Sequence, residues 1–524
     1  MKKNNHINEN YWTEIEISEE DLEFIYNHLL EKEIPLKTDQ ILKALIGNRI
    51  LREKEKKEKQ LSDNKVYLPR EEYQAGDNIN FSSIGLGEAE VVSVRQGINP
   101  DYEHLKVIEV KFDTGDIREY ASNLEDHSLN FAFDFDEEDE NFNPGFVYEN
   151  YREDIFKSLE HTLSQNEDLV NIAGSWFPRS LLVDVHIGHL NLAEAVLEEA
   201  NGGPLGTLNL MDQVELKANA DRKLLEFSFD LALQEDPRFD EVGPSGETLW
   251  FLHSKEPDSV RELPAQLKFD QKIVEDESIK EYLSLFESNV YDELEVLNPD
   301  KDERDDVSIS LTYPHWRVGT LPLSPTLKNM FPTAYEAPRV KFSFVDDNTK
   351  EKFPGWVVRK HKYVFGLKEW YENHEMMPGS LVSVEKGNNP GEIIISYEKS
   401  RQNKEWLKTV LVGTDRAVVF AMLKQSINAD FNERMAIAIP DPAALDEIWD
   451  HGVYRKNEMG KTILHILREL IKLNPQGQVH AQELYAAVNV VRRCPPSMII
   501  ENLLRNSNVE YLGDLYFKMS EKGN

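Results

Sequence analysis

Cysteine is nearly missing from this chain: Cys494 stands alone among 524 residues. A disulfide framework and a cysteine-rich zinc site are therefore excluded. Cys494, followed by two prolines, reads as a small apolar residue at the start of a helix. Long hydrophobic runs are also missing. The longest apolar stretches, such as 417–423, fall well short of the roughly 18 residues that a membrane-spanning helix needs, so no membrane partner is expected. The opening MKKNNHINENYW has two lysines but no apolar segment behind them, so no signal peptide is expected and the cytoplasm is the expected compartment. A phosphate-cradling glycine loop, HExxH, GxSxG and clustered histidines are absent too. His186 and His189 lie three apart with no third ligand nearby. Asp346, Asp347, Glu392 and Glu398 could be pieced into a metal-dependent nuclease, but 95 acidic residues make such coincidences common. No catalytic residue, metal or cofactor is expected, and the chain reads as a binding protein.

Positive charge is scarce, and unevenly so. Lys and Arg number 59 against 95 Asp and Glu, a net charge of −36. Residues 1–306 hold 31 cations against 70 acids, and residues 307–524 hold 28 against 25. The acid is confined to the front, with the run DFDEEDE at 134–140 and a second acidic stretch around 292–306. Such runs are either solvated linkers or surfaces that engage a basic partner or compete with nucleic acid. What is present otherwise is ordinary globular material, 40% hydrophobic and 29% charged, of a length that suggests about three to five domains.

The expected fold class is α+β and multi-domain, with winged helix-turn-helix modules and small β-barrels. Residues 1–70 open with SEEDLEFIYNHLLEKE, in which Ser18 is a plausible N-cap and Leu22, Ile25, Leu29 and Leu30 share a face. Two more helical segments and the extended KVYLP follow, the plan of a small N-terminal winged helix. The lysines at 54–59 alternate with glutamates and read as a solvated face. From Gly76 the hydrophobic period becomes two, with D-T-G-D as a tight hairpin, and 71–128 fits an SH3-like β-barrel. Arg95 and Arg118 receive no role. An acidic linker is expected at 129–147.

Residues 148–262 carry three helical pieces, the breaker Gly202-Gly203-Pro204, and a strand–GPSG–strand tail, the pattern of a second winged helix. This pattern resembles the HARE-type helix-turn-helix modules of the acidic delta subunit of bacterial RNA polymerase. The resemblance implies a protein-binding module more than a DNA reader, because its helices are acidic. An acidic connector, 263–306, is expected next.

Residues 307–414 differ in kind. A strand leads to His315, Trp316 and Arg317, expected in a loop, then the short strand TLPL and a helix at 325–331. Alternating strands KFSFV and FPGWVV turn through D-D-N-T-K, and the basic corner Arg359-Lys360-His361-Lys362 follows. The strand YVF, the helix LKEWYENH and two final strands complete the segment. The "LP" before the first helix, the charged hairpin ending in W-x-V, and the second helix ending in PGS-x-V-x-V-E-x-G together resemble the plant-type B-three DNA-binding domain, a seven-stranded pseudobarrel with two short helices. The match covers 307–400. The resemblance implies two DNA-contacting arms: His315, Trp316 and Arg317 on the first, Arg359, Lys360, His361 and Lys362 on the second, with Lys350 and Lys352 nearby. Independently, cations on loop tips reach phosphates and base edges, and Arg suits guanine. Against that, 307–400 nets only +2.

The last segment, 415–524, reads as a third winged helix: KTILHILRELIKLN, AQELYAAVNVV, PPSMIIENLLRN and the wing VEYLGDLYFKM. Its third helix would enter a major groove, with Arg492, Arg493, Ser497 and Arg505 at its ends. Two functions stay open. One is a transcription- or genome-associated DNA-binding factor whose pseudobarrel and last winged helix contact DNA while the acidic half binds protein. The other is a scaffold associated with RNA polymerase or another protein and lacking a specific DNA site.

Overall fold

In the computed structural model the described residues are 10–520, without 64–65, 82–83, 100–101, 103, 131–139, 217–218, 274–275, 296–305, 335–336, 388, 390 and 401–403. Most of the acidic run 134–140 and of 292–306 lies outside them. The chain forms two compact units, Met1–Val183 with Asn219–Phe227, and Asp184–Ala218 with Ser228–Asn524. No described helix is long and apolar enough to cross a membrane.

The first unit opens with α1 (Asn10–Thr13) and α2 (Glu19–Lys32). Ser18 caps α2 in a reciprocal box with Asp21, as its sequence anticipates. Strand β1 (Leu36–Lys37) leads straight into α3 (Thr38–Asp63). The sequence suggested two helices over α3, but no proline interrupts it and the turns join. A four-stranded sheet follows, β2 (Asn78–Asn80), β3 (Glu88–Gln96), β4 (Lys106–Phe112) and β5 (Ile117–Ser122), paired in chain order around Phe81, Ile108 and Val110.

The next helix, α4 (Pro144–Ser164), departs from the expected domain boundaries. It does not begin a second module but returns to the first: Ile155, Leu159 and Leu163 share a core with Ile25, Leu29 and Leu45. The hairpin β6 (Leu169–Ile172) and β7 (Ser175–Pro178) then pairs with β1, placing Leu36 opposite Trp176. The first module is thus α2-β1-α3-α4-β6-β7, with the small β-sheet inserted between its second and third helices. The physical reason is burial: α2 and α3 alone leave an apolar stripe that α4 covers.

The same plan recurs twice further along the chain. One copy has α5 (Ile187–Glu199), β8 (Leu205–Gly206), α6 (Thr207–Val214), α7 (Arg222–Glu235), β9 (Phe239–Glu241) and β10 (Leu249–Leu252). The short helices α8 (Asp258–Arg261) and α9 (Lys280–Ser284) follow.

A seven-stranded sheet comes next. Its elements are β11 (Asp306–Ser310), α10 (Tyr313–Val318), β12 (Thr320–Pro322), β13 (Arg339–Asp346), β14 (Lys352–Val358), β15 (Tyr363–Phe365), α11 (Lys368–Asn373), β16 (Leu381–Lys386) and β17 (Glu392–Ser396). The strand order is β11-β16-β17-β13-β14-β15-β12. The β13–β17 pair is parallel and every other neighbour antiparallel, so the sheet curls around Ile309, Leu321, Phe344, Val364 and Val384. Two local expectations fail. His315, Trp316 and Arg317 lie on helix α10, with Pro314 among its first residues, instead of in a loop. Residues 325–330 form turns instead of a helix.

A long hairpin, β18 (Lys404–Val412) and β19 (Val418–Ser426), crosses the expected boundary at 414, and β20 (Ile437–Ala438) pairs with β18. Helix α12 (Pro442–Asp450) precedes the last copy of the module: α13 (Met459–Ile471), β21 (Gln478–His480), α14 (Ala481–Val491), α15 (Pro496–Arg505), β22 (Val509–Gly513) and β23 (Tyr516–Met519). The helices and strands read from sequence for this copy all form.

In each copy the first strand pairs with the last and the last with the middle one: β1-β7-β6, β8-β10-β9 and β21-β23-β22. The register matches as well, with Leu36 facing Trp176, Leu205 facing Trp250 and Val479 facing Phe517. Both tryptophan indoles donate to the threonine that opens the following helix, Trp176 to Thr38 at 2.9 Å and Trp250 to Thr207 at 3.2 Å.

Gly319 ends α10 with φ +79°, and a Cβ there would lie 2.4 Å from the backbone nitrogen of Lys368. Gly319→Ala therefore combines left-handed strain with a backbone clash. It is expected to destabilise the second unit by about 2–4 kcal/mol, read as a lower urea midpoint at an unchanged slope.

Candidate nucleic-acid interface

The thirteen residues singled out from sequence separate into a buried set and a surface set. Arg493 lies in the short link between α14 and α15 and is 1% exposed. Its guanidinium grips Asp292 with two bonds, 2.6 and 2.9 Å, lies 2.9 Å from Glu293, and donates to Asn489 at 2.9 Å. Glu293 also meets Nε2 of His315 at 2.9 Å, and Nδ1 of His315 meets the Thr320 hydroxyl at 2.8 Å. The Tyr485 hydroxyl donates to Asp292 at 2.7 Å. Glu295 accepts from the backbone N–H of Ser497 at 2.9 Å, at the first turn of α15. Arg492 donates to the carbonyls of Tyr454 and Asn457.

His315, Arg492, Arg493 and Ser497 are therefore corrected from DNA contacts to buried structural groups. The cause is the segment expected to be a solvated acidic connector. Its Asp292, Glu293 and Glu295 are buried against α14 and α15 and occupy the end of α15 where a phosphate would have to sit. Burial works against ionisation of Glu293, but Arg493 and His315 outweigh it and hold its carboxyl below the usual range. Burial pushes Asp292 the other way despite Arg493, with Glu293 adding to the rise.

The rest of the first arm is also engaged. The indole of Trp316 donates to the carbonyl of Met376 at 2.7 Å, and Arg317 pairs with Asp446 of α12 at 3.0 Å. Lys350 pairs with Asp347 at 2.6 Å, Lys352 with Glu392, and Arg505 with Asp276 at 3.3 Å and with Glu501. Exposed pairs such as these last cost little to open.

The second arm is different. Residues 359–362 form a short helical turn between β14 and β15, closed by Lys362 at φ 55°. Arg359, Lys360 and Lys362 are exposed, and His361 is half-buried. Arg359 anchors the turn by donating to the carbonyl of Ala334. Burial first, then Lys360 and Arg339, lower the His361 pKa. This turn is the one group of sequence-predicted cations that reaches solvent together without a carboxylate partner among the described residues.

The nuclease carboxylates do not assemble. Asp346 accepts from the backbone of Asn348 and Thr349 and from Trp370, whereas Asp347 and Glu392 hold lysines. His186 caps α5. A different trio, which sequence reasoning missed, converges well enough to consider a metal: Asp240, His253 and Glu256. The guanidinium Nη1 of Arg339 lies 2.6 Å from both carboxylates and 3.4 Å from His253 Nδ1, so an internal cation already fills the centre. Burial, with Asp240 adding to it against the pull of Arg339, pushes Glu256 up to about 8.

Compared with known proteins, the chain matches no family model, no curated sequence and no solved structure.

Two outcomes are expected from these buried groups. Arg493→Met leaves Asp292 and Glu293 without their cation and should cost about 3–5 kcal/mol in denaturant unfolding, whereas Arg505→Met should stay within about 0.5 kcal/mol. Glu256 holds its proton more tightly folded than unfolded. Its contribution is complete below the unfolded value near 4.5 and is lost as pH rises through about 8. Thermal melts of Glu256→Gln across pH 5–9 should therefore fall less steeply with pH than those of the parent.

Proposed function

We propose that this chain is a non-enzymatic, DNA-binding, transcription- or genome-associated factor of the cytoplasm. In this reading the seven-stranded sheet is a B-three-like pseudobarrel, the three repeated modules are winged helices, and the sheet inserted in the first is an SH3-like barrel. The observation that carries it is the topology of 306–396. Seven strands curl into one sheet, and the short helix between β15 and β16 falls where the resemblance expects it, whereas the other, α10, precedes β12 instead of following it. The acidic N-terminal half takes the protein-binding role, with RNA polymerase as the candidate partner suggested by the likeness to delta-subunit modules.

The DNA surface is narrower than sequence suggested. It consists of Arg359, Lys360, His361 and Lys362, supported by Lys350 and Lys352, whose exposed pairs a phosphate can displace. The last module contributes no groove-reading helix, because its own chain covers the start of α15. A second reading, a scaffold without a specific DNA site, draws support from that covering and from the commitment of Arg317 to Asp446.

The test uses the full chain, since a fragment starting at 307 would strip Arg493 of Asp292 and Glu293. Titration with duplex DNA at low and moderate salt should show saturable, salt-sensitive binding. The double variant Lys360→Ala, Lys362→Ala should weaken binding and flatten the log K against log salt slope by about 1.8. Absence of binding at low salt, together with co-purification of polymerase, would favour the scaffold.

A further inference from the structure

Six of the eight tryptophans, Trp12, Trp176, Trp250, Trp356, Trp370 and Trp449, are buried in cores, and Trp316 is half-buried. Trp406 is 60% exposed, more than any other described aromatic side chain. A tryptophan in water leaves a large apolar surface unused, and an indole is wide, flat and π-rich. Its position on β18 fixes its company. Across the hairpin Lys404 faces Ser426, Trp406 faces Lys424 and Lys408 faces Met422. Side chains two apart on a strand share a face, so these six form one strip, and none of them is acidic.

Lys424 lies over the indole, with Nζ 5.5 Å from the ring centroid. Lys404 and Lys424 are exposed and form no ion pair among the described residues. Lys408 sits deeper, 3.5 Å from Glu483, and its Nζ donates to the Arg434 carbonyl at 2.7 Å. Beside the indole opens a cleft of about 270 Å³ with an apolar floor of Leu407, Leu470, Leu473 and Val479, and Glu433 and Glu483 on its wall.

We propose that this end of the β18–β19 hairpin is a stacking platform for single-stranded nucleic acid, with Trp406 carrying a base and Lys404 and Lys424 its flanking phosphates. Charge decides for nucleic acid: two ammonium groups without a carboxylate partner flank the ring, Lys404 two residues before it on the same strand and Lys424 across the hairpin from it. Lys404 and Lys424 are diagonal neighbours across the hairpin, a separation of about 7–8 Å at their backbones that long side chains can adjust to successive phosphates of an extended strand. Strandedness follows from the ring, because paired bases in a duplex offer no open π-face. The platform belongs to a different sheet from the strands that flank the 359–362 turn and does not rest on the duplex reading.

The test is fluorescence anisotropy of a labelled oligothymidylate with the full-length protein at low and moderate salt. Saturable binding is expected, weakened about tenfold or more by Trp406→Ala and largely kept by Trp406→Phe. Lys404→Gln with Lys424→Gln should weaken it and lower the salt slope by about 1.4. Lys360→Ala with Lys362→Ala should leave it unchanged, which separates this platform from the duplex surface. No oligothymidylate binding at low salt, equal binding by Trp406→Ala, or equally tight binding of a labelled oligoglutamate peptide would each overturn the assignment.

Discussion

A guanidinium with almost no contact with solvent sits where the last module, the segment 287–295 and helix α10 meet, and the arrangement of the second unit depends on it. Moving an ion of that size out of water costs several kcal/mol even after relaxation. Arg493 offsets this with a two-pronged grip on Asp292 and a further pairing with Glu293, the geometry to which a planar fork is suited. Each carboxylate then needs a second partner, and Tyr485 and His315 supply them from α14 and α10. The network therefore crosses element boundaries by necessity. A hydrophobic cluster could fill the same space, but it would not demand that 287–295 lie in one register against α14 and α15.

That demand reshapes the functional reading. The start of a third helix in a helix-turn-helix arrangement exposes backbone N–H groups and a positive dipole end, the features that attract phosphate. Here Glu295 accepts from Ser497 and Asp292 occupies Arg493, so carboxylates of the same chain satisfy those groups. Exposed cations remain elsewhere, among them those of the 359–362 turn and of the open end of the β18–β19 hairpin. A net charge computed over 307–524 could not separate these cases, because it counts Arg493 and Lys360 alike.

What was legible in the sequence follows the range of the forces involved. Local signals were read well. The capping box at Ser18, the strand alternation of 339–358 and the helices of 459–505 depend on neighbours within about a turn or two. The boundaries failed where the deciding contact was distant. Helix α4 carries a clean apolar face, but nothing near it says that the face belongs to Ile25 and Leu29, more than a hundred residues earlier. Likewise Asp292-Glu293-Leu294-Glu295 looks solvated in isolation, and only its distant arginine makes burial possible. One long-range signal was available and went unread. Pro35-Leu36-Lys37-Thr38 and Pro204-Leu205-Gly206-Thr207 each end on a threonine whose hydroxyl receives an indole N–H, from Trp176 and Trp250.

The repeat explains why so different a surface can rest on one plan. In all three copies the first strand is only two or three residues long and pairs with the last strand opposite a large aromatic ring, so the core of the module is fixed by a few contacts. Everything outside those contacts is free to vary. The first copy tolerates a whole β-sheet between its second and third helices, and the returning chain rejoins the core through Phe142 and Val147. The last copy buries the very helix end that the plan would otherwise present to solvent. What each copy presents to solvent is therefore set by what its surroundings leave uncovered.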